Sequence, residues 1–485
     1  MLPPEILGEV FRSIVVELFL AAQKEPFGPR NSITSSAIRL SSIDSYWRSV
    51  ALSAHTIWSY IKISHGKPWN PHPSLLALAL ARSQRIPLHI IIVMRHNPPV
   101  APEALPAWNA LAEQLMARAG FLQVVSLPET NYTYQLVAGN TLFRSLLLKK
   151  SPLLRTLRYT LLVMAMSYPP AVMVTDWAEV RGQILPHAPL LVELSLVNFG
   201  GLELDMLRPE MIRGLQRFSH RADGSMLVAD VLAAAPKLRQ LSLTSRELLG
   251  GSSAVSNLRI YVNLVSLSAE ASALAQLNRT SAPNLRTLNF DVKFHNEYPG
   301  YFNAAYLAGF LVSTPYLALE HLSLPDRKMW SCEVYPESMA AVVPLFAYMP
   351  NILSLSLPRL NVKGSCITEW TKPDNVRLLP KLQVITLRGM IPSGNDAKLF
   401  KNFFRRRQTA MAEICDSGNR LPLTIEMDHE RDTLAVEEIC DLLGRYVMSI
   451  RVVGSPHHKL PDTVRFEVRD GLRRAGPSWH PAKGH

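Results

Sequence analysis

Cysteine is scarce in this chain. Its 485 residues contain four cysteines, Cys332, Cys366, Cys415 and Cys440. No two of them are close enough for a zinc knuckle or a redox pair, and four are too few for a disulfide framework. We therefore expect a protein of a reducing intracellular compartment, the cytoplasm, the nucleus or both.

Long apolar runs are also missing, and charged residues make up only 19% of the chain. Apolar runs such as Ile90 to Met94 are far too short to span a bilayer. The N-terminus lacks the basic region of a signal peptide. These absences predict no membrane partner. Hydrophobic residues nevertheless make up 48% of the chain, which is enough for a large core.

Basic residues outnumber acidic ones, 51 to 39, and give a formal net charge of +12. This charge is spread along the chain, and the densest basic run is Arg405 to Arg407. We interpret that run as the solvated face of a helix whose buried side carries Phe400, Phe403 and Phe404. A nucleic-acid surface would need interleaved aromatic residues or a recognisable nucleic-acid fold. We therefore predict no nucleic-acid partner.

No catalytic motif is evident. The sequence has no nucleophile elbow, no glycine loop for phosphate and no His-x-x-x-His pair beside carboxylates. The nearest candidates are Asp428-His429-Glu430 and His457-His458. Adjacent residues on a strand point to opposite faces, so the first group does not converge on one metal ion. We predict that the protein is not an enzyme and has no catalytic residues, no cofactor and no metal site.

The N-terminal 65 residues have helical periodicity. Proline is tolerated in a first helical turn, and the apolar spacing after Leu2-Pro3-Pro4-Glu5-Ile6-Leu7 predicts an amphipathic helix to about Ala22. A loop of turn-forming residues follows. One stripe of a second predicted helix then holds Leu40, Ile43, Trp47, Val50 and Ala51. A third short segment carries Ile57, Trp58 and Ile61. We predict a three-helix module with Trp47 in its core.

The opening residues and the pairs Trp47-Arg48 and Ile57-Trp58 resemble the F-box of fungal F-box proteins. In this chain Asp44 stands where that family usually has a cysteine, and Ala54-His55 stands where it has Thr-Pro. The resemblance implies docking on a Skp-type adaptor within a cullin-based (SCF) ubiquitin ligase. The adaptor-binding residues that it implies are Leu2, Pro3, Pro4, Ile6 and Leu7.

A recurring motif dominates the rest of the chain. Pro236 is followed by apolar residues at Leu238, Leu241 and Leu243, and the same spacing recurs elsewhere. The other prolines that open it are Pro152, Pro189, Pro283, Pro350 and Pro380. Copies without proline begin at Leu122, Leu215, Leu264 and Leu319. The steps between copies run from 21 to 37 residues.

Such steps overlap the roughly 20–29 residues of a leucine-rich repeat, with several units carrying extra length. The last two apolar positions alternate along a strand, and the chain then returns on the other side, as a helix from Met226 to Ala235. We predict an α/β fold in which an irregular leucine-rich repeat solenoid with a parallel concave sheet follows the helical module. The predicted domains are residues 1–65, the F-box-like module, 66–420, the solenoid, and 421–485, a C-terminal cap or extension.

Small polar residues occupy the strand position between the last two apolar ones. Examples are Ser195, Ser242, Asn289 and Ser356. Tight spacing on a curved sheet would select such residues, and a shallow polar groove for a partner protein would also use them. We predict that an unknown protein substrate contacts Gln240, Ser242, Thr287, Asn289 and Asp291.

Two functions are compatible with these patterns. In the first, the protein is a substrate-recognition adaptor of a ubiquitin ligase, with the helical module on the Skp-type adaptor and the solenoid on the substrate. In the second, it is a leucine-rich repeat scaffold for protein–protein interaction without a ligase link, and the helical module is only a cap.

Overall fold

A computed structural model describes residues 2–26, 33–65, 73–95, 105–127, 145–161, 183–197, 207–222, 228–245, 260–261, 263–269, 280–290, 307–308, 311, 318–324, 341–357, 365–387, 395–411, 421–429, 443, 446–454 and 464–466. Internal contacts divide the chain into two compact units, Met1–Gly250 and Gly251–His485. Both units are α/β, with strands that follow one another in parallel, and this arrangement coarsely fits a leucine-rich repeat solenoid.

The first unit begins with three α-helices and one 3₁₀ helix. They are α1 (Pro4–Lys24), α2 (Ile33–Ser41), α3 (Ser45–Ser53) and the 3₁₀ helix His55–Ser59. The predicted second helix is therefore two helices. The break falls at Asp44, whose extended backbone starts α3 and whose carboxylate accepts a hydrogen bond of 2.7 Å from the Trp47 N–H. An N-cap of this kind terminates one helix and starts another.

The core of these helices differs from the prediction at Trp47. Trp47 is only half-buried, with its ring centroid 4.9 Å from that of Phe11. Trp58 is the buried one, at 1% exposure, and its indole N–H donates to the Ala51 carbonyl oxygen at 2.8 Å. The predicted third segment also ends differently, because Ile61 lies on the first strand rather than on a helix.

Among the described residues of the first unit, seven parallel strands form a sheet and are paired in chain order. Their bounds are β1 Tyr60–His65, β2 Leu88–Arg95, β3 Ala119–Leu127, β4 Thr156–Leu161, β5 Glu193–Val197, β6 Arg217–Ala222 and β7 Gln240–Ser245. The described helices between them are α4 Pro73–Arg82, α5 Leu105–Arg118, α6 Pro209–Gly214 and α7 Val228–Ala234. Parallel neighbours require such return segments, and α7 matches the helix predicted there.

The second unit repeats this arrangement. Its main sheet contains β9 Ser266–Ala269, β11 Thr287–Phe290, β12 His321–Ser323, β13 Ser354–Leu357, β14 Val384–Leu387, β15 Leu421–His429 and β16 Val447–Gly454, all parallel, and β17 Val464–Phe466, which is antiparallel. A separate two-stranded sheet pairs β8 Ile260–Tyr261 with β10 Thr280–Ser281. The described helices are the 3₁₀ helix Val343–Tyr348, α8 Ser365–Trp370 and α9 Asn395–Ala410.

The recurring proline has a structural role in the turn before a strand. In the segment Ala235-Pro236-Lys237-Leu238, the N–H of Leu238 donates to the Ala235 carbonyl oxygen at 3.0 Å. The same bond closes the turn at each of the other proline copies, at Leu154, Leu191, Leu285, Ile352 and Leu382. Proline therefore occupies the second position of a β-turn, where its fixed φ is favourable. The first apolar residue of each copy is the residue that closes the turn.

The predicted register is confirmed at the residues that test it. Leu241 and Leu288 are buried, while Ser242 and Asn289 are partly exposed; the side chain of Leu243 lies outside the description. One copy was misplaced, because Leu122 pairs with Leu157, which is the second apolar position rather than the first. The strands β1 and β2 also belong to the sheet and were not predicted. On β2 apolar residues are buried on both faces, so this strand lacks the alternation that revealed the others. On β1 the buried Ile61 and Ile63 do alternate with Lys62 and Ser64, but Ile61 had been assigned to a helical segment.

The basic run on α9 is not wholly solvated, as had been predicted. Arg405 and Arg406 are exposed, and the three phenylalanines of this helix are buried as expected, but Arg407 is only 2% exposed. Its guanidinium donates to the carbonyl oxygens of Val376, Leu378 and Leu379 at 3.0, 2.7 and 2.5 Å. The guanidinium carbon lies 5.7 Å from the ring centre of Trp370. Arg407 thus ties α9 to the turn of the preceding repeat.

We expect replacement of Arg407 by methionine to lower the free energy of unfolding by at least about 2 kcal/mol, because three carbonyl oxygens lose a charged donor and two of those hydrogen bonds are buried. Replacement of the exposed Arg405 by methionine should change it by less than about 0.5 kcal/mol. Urea unfolding followed by circular dichroism measures both. Equal stability of the two variants would contradict the role of Arg407.

Candidate interaction surfaces

Each unit has a strand face lined by the predicted polar positions. In the first unit Ser195, Ser219 and Ser242 are in register across β5, β6 and β7, and Gln240 on the same face is exposed. In the second unit Thr287 and Asn289 lie together on β11 and are partly exposed. Asp291 lies outside the described residues. The four described substrate residues therefore form two pairs, Gln240 with Ser242 on the first unit and Thr287 with Asn289 on the second.

The polar column of the second unit is more closed than predicted. It runs through Ser268, Asn289, Ser323, Ser356 and Thr386. Ser323 and Ser356 are each only 7% exposed. Small residues are therefore required for packing at these two positions, which agrees with the tight spacing of parallel strands. This part of the column offers little surface to a partner.

A buried carboxylate joins two arginines on the polar face of the first unit. Glu193 on β5 lies between Arg158 on β4 and Arg217 on β6, and 9% of its side chain is exposed. Its carboxylate accepts a hydrogen bond from Arg158 Nε at 2.6 Å, and Arg217 Nη2 is 2.6 Å from its other oxygen. Neither arginine had been predicted on this face. Arg158 could have been found, because it occupies the same motif position as Ser195 and Ser242.

The last turns of α1 cover the polar face of β1, β2 and β3. The ring centroid of Phe19 lies 5.2 Å from that of Tyr60 and 5.7 Å from that of Phe121. The side-chain amide of Gln123 donates to the Gln23 carbonyl oxygen at 3.3 Å. Residues of these strands that share the polar face, Ile91, Val93 and Val125, are buried. The polar face is therefore closed on the first three strands.

Between these strands and α1 lies His89, whose ring is stacked on that of Tyr60 at 4.7 Å. Burial lowers the pKa of His89 below its ordinary value of 6.5, because the charged imidazolium is poorly solvated there. Burial likewise raises the pKa of Tyr159, which is on the opposite, leucine-lined face of β4. None of the contacts described for His89 or Tyr159 is with a group that could take part in acid–base chemistry with it.

The N-terminal half of α1 has two contrasting faces. Leu7, Phe11 and Val15 are buried against the helices of the same module. On the other side Leu2, Ile6, Val10 and Ile14 follow one another at four-residue spacing and are all exposed, Leu2 at 53% and Ile6 at 52%. We call these four residues the apolar stripe. Residues four apart lie on one face of a helix, so Ile6, Val10 and Ile14 form a continuous line, and Leu2 lies just before the helix begins at Pro4.

The implied adaptor-binding residues divide between these two faces. Leu2, Pro3, Pro4 and Ile6 are exposed, whereas Leu7 is only 2% exposed. The side chain of Leu7 is enclosed by the module, so a contact of Leu7 with an adaptor stays a prediction, whereas the exposed residues are already accessible. The Tyr46 hydroxyl donates to the Leu2 carbonyl oxygen at 2.5 Å and holds the start of the chain against α3.

Neither a metal cluster nor a membrane span is found in the described ranges. No three histidine, cysteine, aspartate or glutamate side chains within them are arranged to hold a metal ion. No helix that the structure describes is both long enough and apolar enough to cross a bilayer. The His457-His458 pair and Glu430 lie outside the described residues.

No protein-family model matches this chain, and no curated protein sequence matches it either. Function has therefore to be inferred from the residues and surfaces themselves.

The depressed pKa of His89 predicts a pH dependence of stability. The folded state binds a proton less readily than the unfolded state, so this contribution is complete above pH 6.5 and is lost as the pH falls below it. Replacement of His89 by phenylalanine keeps an aromatic ring in the stack and removes the titration. Urea unfolding at pH 7.5 and pH 5 should show a smaller acid loss for the variant. An equal loss would contradict burial of an uncharged His89.

Proposed function

We propose that this protein is a non-enzymatic substrate adaptor of an SCF-type ubiquitin ligase. The apolar stripe on α1 carries this proposal. Four large apolar side chains in a row would not be left in water without a partner, since extended apolar surface is a mark of an interaction site. The stripe begins within the residues that resemble the opening of a fungal F-box, and that resemblance gives the partner as a Skp-type adaptor bound to a cullin ligase core.

The polar strand faces are the proposed surface for the protein substrate. Serine, threonine and asparagine side chains line them, and they offer hydrogen bonds to a partner without the convergence that catalysis needs. In this proposal the conjugating chemistry belongs to other subunits. The adaptor raises the local concentration of substrate lysines near them. We place this activity in the cytoplasm, the nucleus or both, without nucleic acid or membrane as a partner.

A second candidate is a protein-interaction scaffold with no ligase link, in which the helices only seal the sheet. The packing of Phe19 and Gln23 on β1 to β3 favours a capping role. A cap alone, however, needs only the buried side of α1. The apolar stripe faces away from that packing and is unexplained by capping. We therefore favour the adaptor.

Replacement of Ile6 and Val10 by glutamate should abolish binding to a purified Skp-type adaptor, because charges within the apolar stripe cannot be desolvated against an apolar partner. The stripe residues are exposed, so the fold should be retained. The matched control is Leu20→Glu, an equally exposed leucine of the same helix outside the stripe, which should bind as the unmodified chain does. Co-purification and isothermal titration calorimetry measure the difference.

Failure of the unmodified chain to bind any Skp-type adaptor would favour the scaffold. Equal loss of binding in the Leu20 control would show that charge on α1 in general, rather than the stripe, disturbs the interaction.

A further inference from the structure

The polar face of the first unit is open only from β4 onward. On β2 and β3 its residues Ile91, Val93 and Val125 are buried, and α1 packs over the same strands. On β4 to β7 the same face is more accessible: Thr156 is half-buried on β4, and Arg217 and Gln240 are exposed on β6 and β7, although Glu193 between them is buried. A partner that reaches this face must therefore bind at β4 to β7.

The most strongly charged feature of that open region is the group of Arg158, Glu193 and Arg217, which we call the arginine clamp. Two guanidinium charges face one carboxylate, so the clamp carries a net charge of +1. The carboxylate is 9% exposed, whereas the arginine side chains are 39% and 49% exposed. The negative charge is thus enclosed, and the positive charge is presented to solvent.

Both arginines are held in place before any ligand binds. Arg158 uses Nε for Glu193, and its guanidinium carbon also lies 5.7 Å from the centre of the Phe121 ring. Arg217 reaches the same carboxylate from the next strand through one Nη atom. A guanidinium has five N–H donors, so these contacts leave donors on each arginine for a second acceptor. Preorganised donors of this kind favour binding, since less side-chain freedom is lost.

The arginine clamp can be compared with a simpler ion pair in the second unit. Arg286 and Glu320 in the second unit are 3.3 Å apart, one arginine faces one carboxylate, and the arginine is 61% exposed. Such a pair is neutral and solvated, and it contributes little. The arginine clamp differs in having an excess positive charge fixed by a buried group. Only one of the two arginines is needed to neutralise the buried Glu193 carboxylate.

We propose that the arginine clamp binds an anionic group of a partner protein, a carboxylate or a phosphate on an acidic segment that lies across β4 to β7. Guanidinium groups recognise both anions through paired N–H donors. The neighbouring Ser195, Ser219 and Ser242 leave room for a main chain and offer hydroxyl groups to it. The inference deepens the proposed substrate surface and rests on that surface being used for binding, but it does not depend on the ligase link.

The test measures fluorescence anisotropy of labelled peptides with the full chain. The probes are hexaglutamate, a glycine-serine peptide with one phosphoserine, hexalysine and a single-stranded hexanucleotide. The variants are Arg158→Gln with Arg217→Gln, and the triple variant that adds Glu193→Gln so that no unpaired carboxylate remains buried. The matched control is Arg286→Gln.

We expect the unmodified chain to bind hexaglutamate or the phosphopeptide and not hexalysine. Both arginine variants should lose roughly tenfold or more of that affinity, since each removes charge-assisted hydrogen bonds. The Arg286 control should stay within about twofold. Preference for hexaglutamate identifies a carboxylate ligand, and preference for the phosphopeptide identifies a phosphate; either supports the proposal.

Three results would overturn the inference: absence of binding to both anionic peptides, equal losses in the Arg286 control, and tighter binding of the hexanucleotide than of either peptide. The triple variant keeps the test decisive if the double variant does not fold. Adaptor binding is measured on the same proteins. If the unmodified chain binds the anionic peptide but no Skp-type adaptor, the proposed ligase role is refuted and the clamp stands. The stripe variant should lose adaptor binding and keep peptide binding.

Discussion

Six described strands of this protein start from the same proline-containing β-turn, which is closed by the N–H of the first buried apolar residue of the motif. The two residues after that position then pair with one carbonyl oxygen of the preceding repeat, as the N–H groups of Arg239 and Gln240 both do with Gln216. The hydrogen bond that closes the turn sets where the strand starts. The alternation of side chains along the strand then sets which of them point to the core. A shift of one residue would exchange the leucine and serine faces. The register of the polar faces therefore depends on the turn.

Arginine side chains reinforce the contact between successive repeats. Arg407 on α9 donates to carbonyl groups of the turn before β14, and Arg118 at the end of α5 donates to the carbonyl oxygen of Leu80 and the hydroxyl of Ser83 at 2.8 Å each. Burial lowers the pKa of Arg118, although an arginine stays charged at any physiological pH. In both cases the C-terminal part of a helix is tied to the last turn of the helix of the repeat before it or to the segment that follows that helix.

The helix α1 connects the two proposed activities physically. Its N-terminal half presents the apolar stripe, and its last turns pack through Phe19 on the aromatic side chains of β1, β2 and β3. Trp58 in the 3₁₀ helix links the helical module to α4, since the Arg82 guanidinium lies 4.5 Å from its ring centre. A partner held at the stripe and a partner held at β4 to β7 would thus be separated by one continuous packed body. In a ligase adaptor, such rigidity would fix the distance between substrate and conjugating machinery.

The repeat spacing, the polarity of each strand face and the position of the turns could be read from the sequence, because each depends on residues within one short segment. The same holds for the start of α1 and for the buried phenylalanines of α9. The split between α2 and α3 was also encoded locally, in the N-cap Asp44, but the apolar residues at helical spacing from Leu40 to Ala51 concealed it. The strand β2 was concealed because apolar residues are buried on both of its faces.

Only the tertiary structure decided which side chains are enclosed and which are exposed to solvent. Arg407 adjoins two exposed arginines, and nothing local distinguishes it; carbonyl groups some 28 to 31 residues away make it a buried donor. Leu7 lies beside Ile6 in the same motif, and the packing of three helices encloses one and exposes the other. The arginine clamp joins side chains from three strands, with 35 residues between Arg158 and Glu193. Local pattern determines the direction of each side chain, whereas its partner depends on which distant segment the stacking brings beside it.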